Sequence, residues 1–430
     1  MSTLDILFLE PFYGGSHREF ADGLVQHSRH RIDLHTLPAR FWRWRMRGAA
    51  LHFARAVARP ADYDLLLVTD LMNVADLKAL WGAECPPILL YVHENQLSYP
   101  KPEGEQRDFQ FAFTDIASAL AADVVVFNSR YHRDAYFAVL PEVLRRMPEY
   151  EPAWIPDALA AKARVLYPGC RLPAPSVEPA PGGATAVPTV DRGRAAEPWS
   201  APSSESMGPP AASPPPESRA GGDAGAAGRQ PGAADIASTV AGPARCAVRP
   251  GTPLMIWNHR WEFDKQPAAF FAALRRVQRA GVAFEVALLG ENAQYVPQEF
   301  IAARKWLGER VVQYGYLPSR AAYLEWLGRG SVVVSTAIQE NFGISVVEAV
   351  AAGCHPLLPN RLAYPEVIPA AFHEECLYDG DEALADRLIA LLSSPPVKSP
   401  PGLAAAMRRY SWACLAEEYD NLFDAWRRMG

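Results

Sequence analysis

The sequence lacks any run of about 18 apolar residues, so no segment is predicted to span a membrane. Its six cysteines include no C-x-x-C pair and no cysteine–histidine spacing of a zinc site. They are typical of reduced cysteines, which favours a cytoplasmic protein without disulfides. Residues 1–12 contain Asp5 and Glu10 and lack a basic leader, so no secretory signal peptide is expected.

The chain also lacks an overall positive charge. Its formal net charge is −6, which taken alone argues against a nucleic-acid partner. Residues 40–61 are nevertheless basic, since no acidic residue occurs among them. Arginine interleaved with tryptophan suits RNA phosphates and unstacked bases. The alternative is an amphipathic helix with solvated arginines and inward-packed aromatics, and both interpretations stay open here. The predicted RNA-contacting residues are Arg40, Trp42, Arg43, Trp44, Arg45 and Arg47.

The composition is that of an ordinary globular protein, except in one segment. With 430 residues, the chain is long enough for two or three domains, each with its own core. Residues 171–250 contain 15 of the 39 prolines, and alanine, glycine and serine make up most of the remainder. Such a segment buries too little apolar surface to offset its ordering entropy, so a disordered insert is predicted.

Short apolar segments alternate with helix-like segments on both sides of this insert. The β-α-β-α pattern predicts an α/β fold with parallel sheets, whose strands are buried on both faces. The predicted strands are residues 4–9, 32–37, 63–68, 88–92, 123–127 and 164–167 in the first half, and 254–257, 284–289, 311–314, 332–335 and 355–358 in the second.

Two glutamates, Glu340 and Glu348, follow a predicted strand of the second half, with seven residues between them. The first lies in a loop at the carboxyl end of that strand, where open α/β sheets bind ligands. The second lies inside the next predicted helix. The amides of Phe342, Gly343 and Ile344 lie at the amino end of that helix, which attracts anions. Carboxylates for hydroxyl groups beside amides for phosphate suggest a nucleotide-sugar site. The alternative is a chance pair on a surface helix.

A loop that opens the second half carries two cations five residues apart, Arg260 and Lys265. Guanidinium supplies a planar fork of donors and ammonium a mobile point charge, so the pair suits a diphosphate. The alternative is a solvated loop whose cations pair with Glu262 and Asp264. Gly15, the second of two adjacent glycines after the first predicted strand, lies where the backbone would approach a ligand closely.

These features resemble the retaining GT-B glycosyltransferases of the glycogen-synthase-like type. That group has a Gly-Gly loop, an Arg…Lys pair opening the second domain, and a Glu-x7-Glu signature. More narrowly, the chain resembles the tRNA-queuosine α-mannosyltransferase family, over nearly its whole length except the proline-rich segment. The narrower resemblance rests on residues 12–17, 37–39, 91–97, 107–110, 122–129 and 259–262.

The resemblance implies a GT-B fold, in which two Rossmann-like domains face each other across a cleft. The expected organisation is an acceptor (tRNA) domain at 1–170, the disordered insert at 171–250, and a nucleotide-sugar donor domain at 251–400. A final helix at 401–430 is expected to cross back to the first domain.

The resemblance also implies roles for individual residues. Glu340 is expected to bind sugar hydroxyls and His93 to lie over the sugar, and both are assigned as catalytic. Glu348 is expected to bind the ribose hydroxyls. Gly290 and Tyr316 are expected to border the nucleobase, although a core position suits Tyr316 equally well. The expected donor-binding residues are Gly15, Arg260, Lys265, Phe342, Gly343, Ile344 and Glu348.

By this resemblance, the protein is expected to move mannose with retention from GDP-mannose to the cyclopentenediol of queuosine in tRNA, with tRNA-Asp as the expected acceptor. Arg260 and Lys265 would neutralise the departing diphosphate, so no metal or other cofactor is expected, and no protein partner is evident. The residues alone are equally compatible with UDP and with glucose. Two alternatives stay open. One is a lipid, glycan or small-molecule acceptor, and the other is a nucleotide-sugar or RNA binder without turnover.

Overall fold

The computed structural model describes residues 3–102, 104, 108–173, 248–290, 296–317, 319–397 and 399–427. Residues 174–247, which make up most of the predicted disordered insert, lie outside these ranges, as does Arg107 of the segment at 107–110. Within the described ranges, no helix combines the length and the apolar content that a bilayer crossing requires.

The N-terminal lobe is built on a sheet of six parallel strands. They are β1 (Asp5–Tyr13), β2 (Arg31–Pro38), β3 (Leu65–Thr69), β4 (Ile88–Val92), β5 (Val124–Phe127) and β6 (Ala163–Val165). Their order in the sheet is β2-β1-β3-β4-β5-β6. Strands β3, β4 and β5 are nearly continuous apolar runs that are buried throughout, as strands covered by helices on both faces require. The helices of this lobe are α1 (Gly15–His27), α2 (Trp42–Ala56), α3 (Val74–Trp81), α4 (Phe109–Ala121), α5 (Arg130–Leu144) and α6 (Ile155–Lys162).

The C-terminal lobe repeats this architecture. Its parallel strands are β7 (Leu254–Trp257), β8 (Glu285–Leu288), β9 (Val311–Tyr314), β10 (Val332–Val334), β11 (His355–Pro359) and β12 (Leu377–Tyr378), in the order β12-β11-β10-β7-β8-β9. The helices that follow β7 along the chain are α7 (Pro267–Arg279), α8 (Gln298–Leu307), α9 (Arg320–Arg329), α10 (Ile344–Ala351), α11 (Tyr364–Val367), α12 (His373–Cys376), α13 (Asp381–Leu392), α14 (Leu403–Ala406) and α15 (Trp412–Arg427).

The predicted α/β class with two parallel sheets is confirmed, and the differences are local. The short strand β12 was not predicted, because two residues carry no periodicity. The chain after Leu403 is largely helical, and a 3-10 turn (Met407–Tyr410) separates α14 from the terminal helix α15, which begins at Trp412.

Each sheet has one topological switch point, where the connections after two neighbouring strands lead to opposite sides of the sheet. In the N-terminal sheet this point lies between β1 and β3, and in the C-terminal sheet between β7 and β10. Open parallel sheets bind ligands in the crevice at the carboxyl ends of such strand pairs. The loops that begin at Gly14, Asp70, Asn258 and Ser335 leave these four strand ends.

The last helix, α15, packs against the N-terminal sheet through Trp412, which is 2% exposed. Two glycines provide the space for its indole ring. A Cβ added to Gly23 of α1 would lie 1.9 Å from the indole Nε1, and a Cβ added to Gly169 would lie 2.1 Å from the indole Cδ2. The same apolar cluster contains Leu4, Ile6, Phe8, Leu415, Tyr419 and Phe423.

Because a methyl group at Gly23 would overlap the Trp412 ring, Gly23→Ala should lower the free energy of unfolding by about 1–3 kcal/mol. The measurement is the urea midpoint. Gly48→Ala in α2 is the matched control, since a Cβ there would lie within 4 Å of no described residue apart from its own chain neighbours and helix backbone. Alanine should leave its stability unchanged or raise it by roughly 0.5–1 kcal/mol. Equal midpoints for the two variants would contradict the packing of Trp412 described above.

Candidate active site

The loops after β7 and β10 meet at the carboxyl edge of the C-terminal sheet. Lys265 Nζ donates to the main-chain oxygen of Gln339 at 2.5 Å and lies 3.4 Å from Oε2 of Glu340. It also forms an ion pair with Oδ2 of Asp264, at 3.1 Å. The structure therefore brings together Lys265 and Glu340, two residues that the sequence assigned to one donor site.

The Lys265 ammonium is a buried charge, because the residue is only 6% exposed. Burial lowers the pKa of Lys265, but Glu340 and Asp264 outweigh burial and hold the pKa above its ordinary value. The ammonium therefore stays charged at the floor of the crevice, compensated by two carboxylates.

Arg260 differs from Lys265 in exposure. Its side chain is 54% exposed, and Nη1 lies 3.3 Å from Oε2 of Glu262. An exposed pair of this kind contributes little to stability. The guanidinium is therefore able to leave Glu262 and bind an anion of higher charge. Both cations thus pair with the acids named in the alternative interpretation, Glu262 and Asp264, while Lys265 also reaches Glu340.

The loop that carries Glu340 ends in a left-handed glycine. Gly343 has φ 94° and ψ 51° and directly precedes α10, a conformation that glycine adopts at little cost. Phe342 is 2% exposed, and its ring lies 5.0 Å from that of Tyr410, so its side chain belongs to the core. Only its amide is left for a ligand. Ile344 begins α10, which places these amides at a helix amino end.

Glu348 lies inside α10 and is 3% exposed. Its Oε1 accepts a hydrogen bond from Arg320, whose side chain is 31% exposed. Burial raises the pKa of Glu348 above its ordinary value, although Arg320 opposes the shift. Arg320 was missed by the sequence reasoning. It lies 28 residues before Glu348, and no spacing rule connects the two.

Of the two residues assigned to the nucleobase, Gly290 has a clear structural requirement. A Cβ there would lie 2.1 Å from the main-chain oxygen of His259, so only glycine fits against the loop that carries Arg260. Tyr316, in the loop after β9, is 63% exposed and therefore does not occupy a core position.

On the N-terminal side, His93 follows β4 and is held by its backbone. Its N–H donates to Oδ1 of Asp70 at 2.9 Å. Its carbonyl accepts from Nδ2 of Asn128 at 2.9 Å and from Nδ2 of Asn341 at 3.0 Å. Since Asn341 neighbours Glu340, this carbonyl connects the two candidate catalytic loops.

The His93 ring is neutral. Burial, together with the neighbouring His17 and His132, lowers its pKa well below the ordinary value. Its Nε2 is buried and has no hydrogen-bond partner among the described residues. Buried polar atoms are normally satisfied, which is consistent with a group that completes its hydrogen bond on a ligand.

His17, which the sequence did not single out as a site residue, lies beside His93 with ring centroids 4.1 Å apart. Its Nδ1 lies 3.2 Å from Oε1 of the fully buried Glu10. Burial lowers the pKa of His17, but Glu10 outweighs burial and raises it to about 9. Ligand atoms of Glu10, His17 and His93 lie within 4.8 Å of one another, as in a metal-binding group. At neutral pH, however, His17 carries a proton that a metal would have to displace.

The glycine loop adjoins this histidine pair. Gly15 has φ 53° and begins α1, and among the described residues outside its own helix backbone and chain neighbours, none lies within 4 Å of a Cβ added to it. A Cβ added to Gly14 would lie 2.4 Å from Cβ of Ala39, which shows how closely the segment before α2 approaches this loop.

The predicted RNA-contacting residues divide into two sets. The Trp42 ring packs 5.1 Å from that of Phe111, so inward packing holds for this tryptophan. Trp44 is 74% exposed, which contradicts inward packing for it. Arg45 is half-buried and donates from Nη2 to the main-chain oxygen of Pro38 at 3.1 Å. The exposed arginines of the set are Arg40, Arg43 and Arg47.

Comparisons with known proteins cover both lobes. A family model described as tRNA-queuosine alpha-mannosyltransferase N-terminal matches residues 5–170, and one described as glycosyl transferases group 1 matches residues 246–411. The chain is 32% identical over 395 residues to the tRNA-queuosine alpha-mannosyltransferase of Drosophila melanogaster, across 91% of this chain and 88% of the relative.

Two solved structures are similar in fold. Sucrose-phosphate synthase from Thermosynechococcus elongatus gives a TM-score of 0.64 at 15% identity, across 99% of this chain and 100% of that chain. Anabaena HepE in complex with UDP gives 0.59 at 13% identity, across 98% and 100%. At these identities the likeness concerns the fold alone. Together with the two parallel sheets, it confirms the predicted GT-B class.

The Glu10–His17 pair predicts a pH-dependent stability. Because the pKa of His17 is raised from 6.5 to about 9, its stabilisation is complete below pH 6.5 and is lost as pH rises through about 9. Burial raises the pKa of Asp70 to about 7. This shift also makes the unfolding free energy fall as pH rises, but mainly below pH 7. Between pH 7 and 9, the unfolding free energy should therefore fall as pH rises. His17 should account for about 1 kcal/mol of this decrease per pH unit.

Urea unfolding at pH 7, 8 and 9 measures this slope in the unmodified protein and in two variants. Glu10→Gln removes the charge that raises the His17 pKa, so the slope should flatten. Glu142→Gln changes an exposed acid that pairs with Arg146, and it should keep the original slope. Parallel curves for all three proteins would refute the assignment of the proton to His17.

Proposed function

The chain belongs to the tRNA-queuosine α-mannosyltransferase family, and from this membership we propose that it transfers an α-mannosyl group to queuosine in tRNA. The observation that carries the proposal is the likeness to the Drosophila enzyme across 91% of the chain, which is too long to omit either lobe. The donor is GDP-mannose and the acceptor is the cyclopentenediol of queuosine, with tRNA-Asp as the expected tRNA. The cytoplasmic location suggested by the cysteines stays a prediction.

The proposed transfer requires positive charge beside the departing diphosphate. Lys265 Nζ contacts Gln339, Asp264 and Glu340, and the longest of these contacts is the one to Glu340, at 3.4 Å. A diphosphate oxygen would replace Glu340 at Lys265, while Arg260 would exchange Glu262 for the same ligand. Glu340, once released, would bind the sugar hydroxyls. When the diphosphate displaces Glu340 from Lys265, the lysine would thus bind the diphosphate and Glu340 would become free to bind the sugar.

The remaining contacts to the nucleotide-sugar donor are assigned from where each residue lies in the candidate site. The amides at Phe342, Gly343 and Ile344 would bind diphosphate oxygens. Glu348 would bind the ribose hydroxyls with its carboxylate still oriented by Arg320. Gly290 and Tyr316 would border the nucleobase, and Gly15 would close on the diphosphate or the acceptor.

In a retaining transfer, the acceptor hydroxyl attacks the anomeric carbon from the side on which the diphosphate leaves. The bond from carbon to diphosphate oxygen breaks, the bond to the acceptor oxygen forms, and a diphosphate oxygen takes the acceptor proton. The neutral His93 would bind a sugar hydroxyl without adding positive charge next to the developing oxocarbenium. This route needs no carboxylate nucleophile of the kind that retaining glycosidases use.

One observation favours a different acceptor. The net charge of −6 suits a lipid, a glycan or a small molecule better than a polyanion. A binder without turnover is the second alternative, and it predicts donor binding without the slow hydrolysis of donor that transferases show.

The proposed function is tested by incubating the protein with GDP-mannose and queuosine-containing tRNA and then measuring nucleoside mass. A gain of one hexose on queuosine supports the proposal, and tRNA lacking queuosine is the control. Since Arg260 and Lys265 are proposed to neutralise the diphosphate, transfer should persist in EDTA. A loss that Mn²⁺ restores would instead point to the Glu10, His17 and His93 group as a metal site. No gain on tRNA, with transfer to another acceptor, would refute the proposed function.

Two substitutions separate the donor roles. Glu340→Ala should lower kcat by roughly 10²–10³-fold with little change in nucleotide affinity, since its sugar contacts act in the transition state. Arg260→Ala should weaken both kcat and nucleotide binding. Arg276→Ala is the matched control, because Arg276 is similarly exposed (41%) and pairs with Asp386 outside the site. Near-normal kcat in Glu340→Ala would show that the site is misplaced.

A further inference from the structure

Two aromatic residues at the start of α2 are exposed, with Phe41 at 70% and Trp44 at 74%. Side chains of this size usually bury most of their surface, and an exposed cluster of them marks a contact surface. We propose that Phe41 and Trp44 form a platform on which unpaired bases of the acceptor RNA loop stack. This inference rests on the proposed function, because it takes the acceptor to be RNA.

The backbone holds Phe41 in an unusual conformation. Its φ of 55° and ψ of 50° lie in the left-handed region, which is unfavourable for a residue with a Cβ. Its carbonyl accepts from the amides of Trp44 at 2.8 Å and Arg45 at 3.1 Å, so the first turn of α2 fixes it. Strain of this kind is retained mainly at functional positions. Here it presents an aromatic ring to solvent.

The opposite face of α2 explains why Trp44 is not a core residue. The buried face of the helix is formed by Met46, Ala49, Ala50 and Phe53, with Trp42 packed on Phe111 at its edge. Trp44 is two residues beyond Trp42, which places it about 200° around the helix axis. Its exposure therefore follows from the helical register.

The charge around the platform favours a polyanion. Arg40, Arg43 and Arg47 are exposed, and no acidic residue occurs between Asp33 and Asp62. The guanidinium of Arg40 lies 6.0 Å from the Phe41 ring centroid. Aromatic faces interleaved with guanidinium groups fit single-stranded RNA, because bases stack while phosphates pair with the cations.

Contacts connect α2, the helix that carries the platform, to the candidate catalytic histidine. Phe12, which precedes the glycine loop, packs in the same cluster as Trp42 and Met46. The Phe12 ring lies 5.9 Å from that of His17, and the His17 ring lies 4.1 Å from that of His93. The helix that carries Phe41 and Trp44 is therefore packed, through its buried face, against the segment that holds His17 and His93. Because this helix adjoins the candidate site at which the proposed acceptor would react, we take RNA as the occupant rather than a membrane or a protein partner.

The test measures binding of an anticodon stem–loop RNA without queuosine, by fluorescence anisotropy in the absence of donor. Phe41→Ala and Trp44→Ala should each weaken binding by about 5- to 100-fold, while Trp44→Phe should keep most of the affinity. A fully paired duplex of the same length should bind all variants alike, since its bases offer no free face. In the transfer reaction, KM for tRNA should rise while kcat at saturating tRNA stays unchanged.

Two control variants change residues that are as exposed as Phe41 and Trp44 but that are either not aromatic or lie elsewhere in the chain. Leu51→Ala changes an apolar residue that is 62% exposed two turns further along α2. Tyr150→Ala changes an aromatic that is 90% exposed after α5. Neither should alter RNA binding. If Leu51→Ala weakens binding of anionic vesicles together with Trp44→Ala, and RNA binding is unaffected by either, the surface is a membrane surface and the inference is wrong.

The outcomes separate the inference from the function on which it rests. Transfer to tRNA with unchanged binding in both aromatic variants would overturn the platform and leave the function intact. Absence of transfer, with stem–loop binding that depends on Phe41 and Trp44, would overturn the function and support the platform. Absence of both transfer and stem–loop binding would overturn both.

Discussion

Parallel strands place all their carboxyl ends at one edge of a sheet, and this constraint determines where the chemistry of this protein lies. Glu340, Arg260 and Lys265 follow two adjacent strands of one sheet, while Gly15 and His93 follow strands of the other. The His93 carbonyl, which accepts hydrogen bonds from Asn128 and Asn341, ties the two edges together. The residues that we propose to bind hydroxyl groups and anions, which come from distant segments, are thereby brought close together.

Within that crevice, charges are arranged in pairs that a ligand is able to rearrange. Lys265 is compensated by Asp264 and Glu340, Arg260 by Glu262, and Glu348 by Arg320. A buried charge without a partner is costly, and the partners of Lys265 and Glu348 offset that cost in the structure without a donor. The two neighbouring histidines differ in protonation state, because Glu10 keeps His17 protonated while burial keeps His93 neutral. Two adjacent imidazoles thus have different charges at one pH.

Features encoded locally were predictable, and features that depend on distant contacts were not. The bounds of Ile88–Val92, Leu254–Trp257 and Val311–Tyr314 were predicted correctly because uninterrupted apolar runs mark buried parallel strands. The partnership of Arg320 with Glu348 and the hydrogen bond from Asn341 to His93 span 28 and 248 residues, so no local pattern reveals them. The charge of His17 depends on burial beside Glu10, which only the folded chain creates. Trp42 and Trp44 look equivalent in sequence until the helical register separates them.

The slot that Gly23 and Gly169 form for Trp412 has a consequence for biosynthesis. The N-terminal lobe contains an apolar face that α15 covers, and α15 is translated after the strands of the C-terminal lobe. Domains usually fold in the order in which they are translated. Here the N-terminal lobe is completed by a helix that is translated after the strands of the C-terminal lobe. Part of its sheet therefore stays uncovered, with apolar side chains exposed, while those strands are synthesised.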